Sequence, residues 1–191
     1  MHFQAVVLNL DKRPDRLAEI TRELDVQGIP FERFPAIWNI EGWRGYNKSI
    51  RAIFEKYRHV DSLLLFEDDC YFEGHFDREV LDELPGDYDG LWLGSNLQSE
   101  HNERYSENLS ILRDGWNTHA VMLSAGFRNW CIENWNGELV FDEWVRVNAL
   151  PVRKCFVLRP MIAFQRPSKS NIVEGHADYT AAWELAKSRL K

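Results

Sequence analysis

A chain of 191 residues, 45% hydrophobic and 28% charged, is long enough to fold as one compact domain over 1–191. Its net charge of −7 disfavours broad nucleic-acid binding, which needs a basic surface to displace counterions. No apolar run approaches the roughly 20 residues that cross a bilayer, and Met1-His2-Phe3-Gln4 lacks the basic and apolar regions of a signal peptide, so the expectation is a cytosolic protein without an integral membrane segment.

The first predicted element is a buried strand over Gln4 to Leu10, a short continuous apolar run of the kind covered on both faces. Pro14 then suits the first turn of a helix, with Leu17, Ile20 and Leu24 at helical spacing until Gly28 and Pro30 stop it. A loop with Pro35, Gly42 and Gly45, carrying Trp38, Trp43 and Tyr46, leads into a second helix whose Ile50, Ile53, Phe54 and Tyr57 share one face. Ser62 to Phe66 is the next buried strand.

Beyond it, Asp89 to Gly94 and His119 to Leu123 read as strands, and Ala125 to Trp135 as a helix turning Phe127, Trp130 and Cys131 inward. The polar segment from Gly94 to Gly115 between the two strands reads as a surface excursion. Phe141 to Leu150 is helical in pattern, Lys154 to Leu158 and Met161 to Phe164 are strands, and Tyr179 to Leu190 is a terminal helix. Strands alternating with helices imply an α/β fold, a mainly parallel central sheet flanked by helices, with a more irregular second half. Cys70, Cys131 and Cys155 are odd in number, far apart and outside any CxxC pattern, which indicates neither a disulfide framework nor a zinc site.

The chemistry is concentrated where Leu63-Leu64-Leu65-Phe66 runs into Glu67-Asp68-Asp69. In open α/β sheets ligands collect beyond the carboxyl ends of the strands, and these acids fall at such an end. On an extended backbone Glu67 and Asp69 point to one side and Asp68 to the other. Neighbouring carboxylates repel unless a cation, a basic group or a proton intervenes, so a hard divalent ion such as Mn²⁺ or Mg²⁺ would satisfy them, above all one that also bridges a diphosphate. The alternative is that they cap the next turn or are solvated. A phosphate receiver or a dehalogenase-type phosphatase would need its key aspartate at the end of the first strand, where this chain has Asn9-Leu10-Asp11.

Several stretches share an order with one known family. "VVLNLDKRPDRLAEITRELDVQGIPFERFPAI" (6–37), "LLLFEDD", "GWNTHAVMLS" (115–124), "FDEW" (141–144) and "RPMIAFQRPSKSNI" (159–172) together resemble glycosyltransferase family 25, over positions 5 to 172. That family includes lipooligosaccharide and collagen galactosyltransferases. The resemblance implies a GT-A type, Rossmann-like nucleotide-sugar-binding fold, with a DxD-like acidic motif holding a divalent cation against the donor diphosphate. It departs from the family at Ser49-Ile50, where a Ser-His pair is usual, and at Ser170-Asn171, where Ser-Asp is usual, and the chain is shorter than most members.

Carried over residue by residue, the resemblance makes Asp69 the direct metal ligand, with Glu67 or Asp68 contacting ribose or bound water and Glu67 a second possible ligand. Asn9, Asp11, Arg13 and Arg16 become the donor nucleotide pocket, and His119 a donor-side residue that could equally be a core histidine. Gln165, Ser168, Ser170 and Asn171 form the polar segment after the last strand, and His176 a third metal ligand. Transfer with inversion needs a base for the acceptor hydroxyl; Asp142 is the candidate and Glu143 its substitute, although acids at a helix start also serve as caps. Trp38, Trp43 and Tyr46 are acceptor-side aromatics or core. The implied partners are a UDP-sugar donor and a glycan or glycolipid acceptor, at a membrane surface if the acceptor is lipid-linked. The same fold acting on a modified nucleic-acid base, and a non-catalytic binding domain, are the alternatives.

Overall fold

The computed structural model of the chain describes residues 2–100, 102–169 and 176–190, with the backbone alone at 168–169 and 176–177. Strand β1 (Gln4–Asn9) leads into helix α1 (Pro14–Val26), which starts on Pro14 as the sequence predicts. Gly28 ends it in the left-handed conformation, with φ of 62°. Strand β2 (Glu32–Pro35), helix α2 (Gly42–Lys56), strand β3 (Ser62–Glu67) and the short β4 (Cys70–Phe72) follow. The middle of the chain supplies β5 (Gly90–Trp92), β6 (Asn96–Leu97), β7 (Leu109–Ile111), β8 (Gly115–Trp116) and β9 (Ala120–Ser124). Helices α3 (Ala125–Asn134) and α4 (Phe141–Trp144), a π turn at Val145–Ala149, β10 (Cys155–Leu158), β11 (Ala163–Gln165), β12 (Ser168–Lys169), β13 (His176–Ala177) and α5 (Thr180–Ser188) complete it.

The central sheet has the order β2-β1-β3-β9-β5-β10-β7. Strands β1, β2, β3, β5 and β10 run one way, while β9, between β3 and β5, and the edge strand β7 run against them. The expected α/β class and mainly parallel sheet are therefore present. Side-chain alternation explains the unbroken apolar runs. Val6, Leu8, Leu63 and Leu65 pack against α2 and α3 on one face, and Ala5, Val7, Leu64 and Phe66 pack against α1 on the other. Among the described residues no helix is long and apolar enough to cross a membrane.

Three local expectations are corrected. Glu32 to Pro35 is not loop but the edge strand beside β1, a place where proline costs no ladder bond on its open side. Gly45 and Tyr46 lie inside α2, because a Cβ at Gly45 would stand 2.4 Å from the Ile37 carbonyl oxygen and its absence lets the preceding loop pack on the helix. The segment from Gly94 to Gly115 is not merely an excursion. It contributes the β6–β8 pair and the edge strand β7, where Leu109 is fully buried. Short strands of two or three residues carry too few side chains to announce themselves by periodicity.

Candidate active site

A cavity of about 650 Å³ opens where β1 and β3 end and the antiparallel β9 begins, within the size range of small-molecule sites. Asn9 and Glu67 are the last residues of their strands, so the parallel register sets the loops after both on the same rim. The acidic triplet lines the cavity and its members have separate partners.

Asp68 is the most firmly held. Its Oδ1 accepts from Arg16 Nη1 at 2.9 Å and its Oδ2 from Asn9 Nδ2 at 2.8 Å. Asn9 is itself pinned, donating to the Arg13 carbonyl at 2.9 Å and accepting from Arg33 Nε at 3.0 Å. Asp69 has longer contacts, 3.4 Å to Arg16 and 3.3 Å to Gln165 Nε2. Glu67 Oε1 accepts from the Tyr46 hydroxyl at 3.0 Å and from Thr118 Oγ1 at 3.4 Å, while its Oε2 lies 3.5 Å from the same Gln165 nitrogen. Glu67 and Asp69 thus share one amide donor, and Asp68 turns away to α1, as strand alternation requires.

The electrostatics follow from this division. Burial, reinforced by the charges of Asp69 and Asp142, pushes the Glu67 carboxyl up to about 8. Burial also raises Asp69 to about 6 against the opposing pull of Arg16. Asp142, at the start of α4, is raised by burial too. Arg16 is engaged by Asp68 and Asp69, and Arg166 by Glu23. Of the basic residues lining the cavity, Lys12 alone forms no ion pair among the described residues; its Nζ stands 5.3 Å from the Trp38 ring. Glu67 and Asp69 are therefore held partly by protons that a bound cation would displace.

Such a carboxyl pair fits a divalent cation. No group of three or more His, Cys, Asp or Glu side chains comes together as a complete metal cage among the described residues. Glu67 and Asp69 could supply carboxylate oxygens, with phosphate oxygens and water for the rest, which is the usual way Mg²⁺ is bound.

Other sequence-predicted residues fall elsewhere. Asp11 pairs with Arg33 and Arg13 with Asp15 on the surface, and neither lines the cavity; Lys12 between them does. His119 is 0% exposed, with Nε2 3.1 Å from the Ala163 carbonyl oxygen and its ring edge-on to Trp183. Burial pushes it down to about 4, so it is a neutral core histidine and not a donor-side contact. Trp43 stacks against Arg44 away from the cavity, whereas Trp38, 63% exposed, stands on its rim. Tyr46 is in the wall, with its hydroxyl committed to Glu67 and to Thr118 Oγ1 at 2.6 Å. Glu143 lines the cavity next to Asp142. Ser170 lies outside the described residues; the backbone of His176 pairs with Lys169, and its side chain lies outside them.

The sequence reading missed Lys12, Asn117, Trp116, Tyr179 and Arg166 as lining residues. Polar and aromatic side chains in loops carry no periodic signal.

No family model matches the chain, and no curated protein matches it in sequence. The likeness to glycosyltransferase family 25 thus rests on the motifs alone. Among solved structures, A197 from STIV overlaps with a TM-score of 0.57 at 11% identity, over 87% of this chain and 86% of that one, which shows a shared fold. A glycosyltransferase involved in glycosylation of the major capsid of PBCV-1 overlaps at 0.48 and 10% identity, over 82% of this chain and 81% of that one. HddC from Yersinia pseudotuberculosis, complexed with GMP-PN, overlaps at 0.46 and 13% identity over 100% of both chains. The last two overlaps are too low to carry an argument.

Proposed function

We propose that the chain is a metal-dependent glycosyltransferase that moves a hexose from a UDP-sugar to a glycan acceptor. The observation that supports this reading is the pairing of Glu67 and Asp69 on one amide donor at the carboxyl end of the sheet, with Lys12 on the same cavity and a third buried carboxylate, Asp142, near enough to raise Glu67. A diphosphate brings the negative charge that Lys12 and a cation would meet, and the rim aromatic Trp38 offers a flat apolar surface to a sugar ring.

A bound Mn²⁺ or Mg²⁺ would stabilise the charge of the departing diphosphate, with Asp69 and Glu67 as its protein ligands. Asp68, locked to Arg16 and Asn9, keeps the turn after β3 in place. Asp142 takes the proton of the acceptor hydroxyl as that oxygen bonds to the anomeric carbon; the bond to the diphosphate oxygen breaks and its electron pair leaves with the diphosphate. Burial raises Asp142 toward working pH, which suits a base that must bind and release a proton. Thermal shift and donor hydrolysis across a panel of nucleotide sugars, with and without Mn²⁺, test the reading. Metal-dependent stabilisation by one nucleotide is expected, and no response to any donor with any divalent ion would overturn it.

A further inference from the structure

Asn117 is the one non-glycine residue with positive φ among the described residues, at 77°. Asparagine tolerates this conformation better than most residues, yet it is still uncommon outside glycine. It sits between β8 and β9, and its neighbours show what the conformation achieves. Trp116 and Asn117 line the cavity, and Thr118 reaches Glu67 and Tyr46 beneath it. An extended run alternates its side chains between two sides, so three consecutive residues converge only if the backbone reverses at the middle one.

Two polar groups of Asn117 are bonded, one to the end of β5 and one toward the site carboxylates. Its carbonyl oxygen accepts from Trp92 Nε1 at 3.0 Å, tying the turn to the end of β5. Its Nδ2 donates to Gln165 Oε1 at 2.6 Å, and Gln165 Nε2 in turn faces Glu67 and Asp69. The polarity of this chain is forced from the acidic end. Carboxylates accept, so Gln165 must present its NH₂ to them and its oxygen to Asn117, which must then present its own NH₂. Asn117 Oδ1 is left buried with no hydrogen-bond partner among the described residues, an arrangement that costs stability.

We infer that Asn117 is a positioning residue that orients the Glu67–Asp69 pair through the Gln165 amide. The inference rests on the glycosyltransferase reading only for its kinetic consequence. Asn117→Gly keeps access to positive φ and the backbone carbonyl that accepts from Trp92 but deletes the link to Gln165. Asn117→Asp keeps shape and conformational tolerance but replaces the donor by an acceptor, so that Gln165 turns its NH₂ away from the acidic pair.

The test is the side-chain NH₂ resonance pair of Gln165, assigned by its loss in Gln165→Glu, read beside the melting temperature and transfer kinetics from UDP-sugars with Mn²⁺. Both Asn117 variants are expected to move the Gln165 signals and to lower kcat by about tenfold or more, with donor KM changed much less. A merely structural role would lower the melting temperature while leaving the Gln165 signals unmoved. Gln165 signals unmoved in both variants overturn the inference. Moved signals in a protein that turns over no nucleotide sugar uphold the positioning role and remove the functional reading.

Discussion

Arg16 and Asp68 form a buried ion pair, Nη1 to Oδ1 at 2.9 Å, between the second residue after Pro14 in α1 and the turn that follows β3. The pair gives the acidic triplet an internal asymmetry: Asp68 meets the guanidinium at 2.9 Å, Asp69 only at 3.4 Å, and Glu67 forms no ion pair among the described residues. Removing one member of a buried pair leaves the other uncompensated, at a cost of about 3–5 kcal/mol. Arg16→Met is therefore expected to destabilise by about that much at neutral pH, with Asp68→Asn milder because Asn9 still has an oxygen to bond. Urea denaturation of both variants measures the difference; equal, small losses would mean the pair is not organising the turn.

Stability in the absence of divalent ions should fall as pH rises through the range set by Glu67 and Asp69. Their folded-state values, about 8 and about 6, lie above the ordinary 4.5 and 3.8. Between the ordinary and raised values the folded chain holds more protons than the unfolded one, so the free energy of unfolding decreases with pH. The loss begins near pH 4 and is complete above about 8. Glu67→Gln should flatten the profile, and added Mn²⁺ should stabilise more at pH 8 than at pH 5. Urea midpoints at these pH values check the sign.

Lys12, not Arg13, is the basic residue of the loop between β1 and α1 that lines the cavity. Lys12→Ala should weaken binding of UDP in the presence of Mn²⁺ by about tenfold, the value of one charge-assisted contact. Arg13→Ala, whose guanidinium already pairs with Asp15 at 2.8 Å, should change it by less than about threefold. Isothermal titration of the two variants side by side decides between the residues.

Asp142→Asn should lower turnover by about 10²–10⁴ while leaving donor binding intact, since a base acts on the acceptor and not on the nucleotide. Near-normal turnover with a working donor would remove Asp142 from the role and direct attention to Glu143, which lines the same cavity.

Gly94 tests how the site is built rather than how it acts. A Cβ there would stand 1.8 Å from the Ala163 carbonyl oxygen, and Leu93 bonds the amides of Ile162 and Ala163 through its own carbonyl. Gly94→Ala must push β11 away from the end of β5, and with it Gln165, at a cost of about 3 kcal/mol or more. A melting temperature within about 2 °C of the parent would show that the approach is less constrained than it stands here.

Much of the scaffold was legible in the residues, because burial on both faces leaves a mark that a single sequence carries. The runs at Gln4 to Leu10 and Ser62 to Phe66 had to be interior strands, Pro14 and Gly28 bracketed a helix, and the acids after Phe66 had to emerge at a strand end. Strand alternation even separated Asp68 from Glu67 and Asp69. The resemblance to a sugar-transferase family brought Asp142 and Gln165 forward, and both line the cavity.

What the sequence could not decide was which polar side chains face inward once loops from distant parts of the chain meet. Lys12 and Arg13 are adjacent and chemically alike, but the turn after β1 sends one into the cavity and the other to Asp15. His119 and Asn117 are two residues apart; the first is sealed against Ala163 and Trp183, and the second reaches Gln165 because its backbone is left-handed. Loop direction, burial and hydrogen-bond polarity depend on contacts between residues far apart in the chain. Composition and periodicity determined the layers and the strand ends, while only tertiary packing chose the partners of Glu67, Asp68 and Asp69.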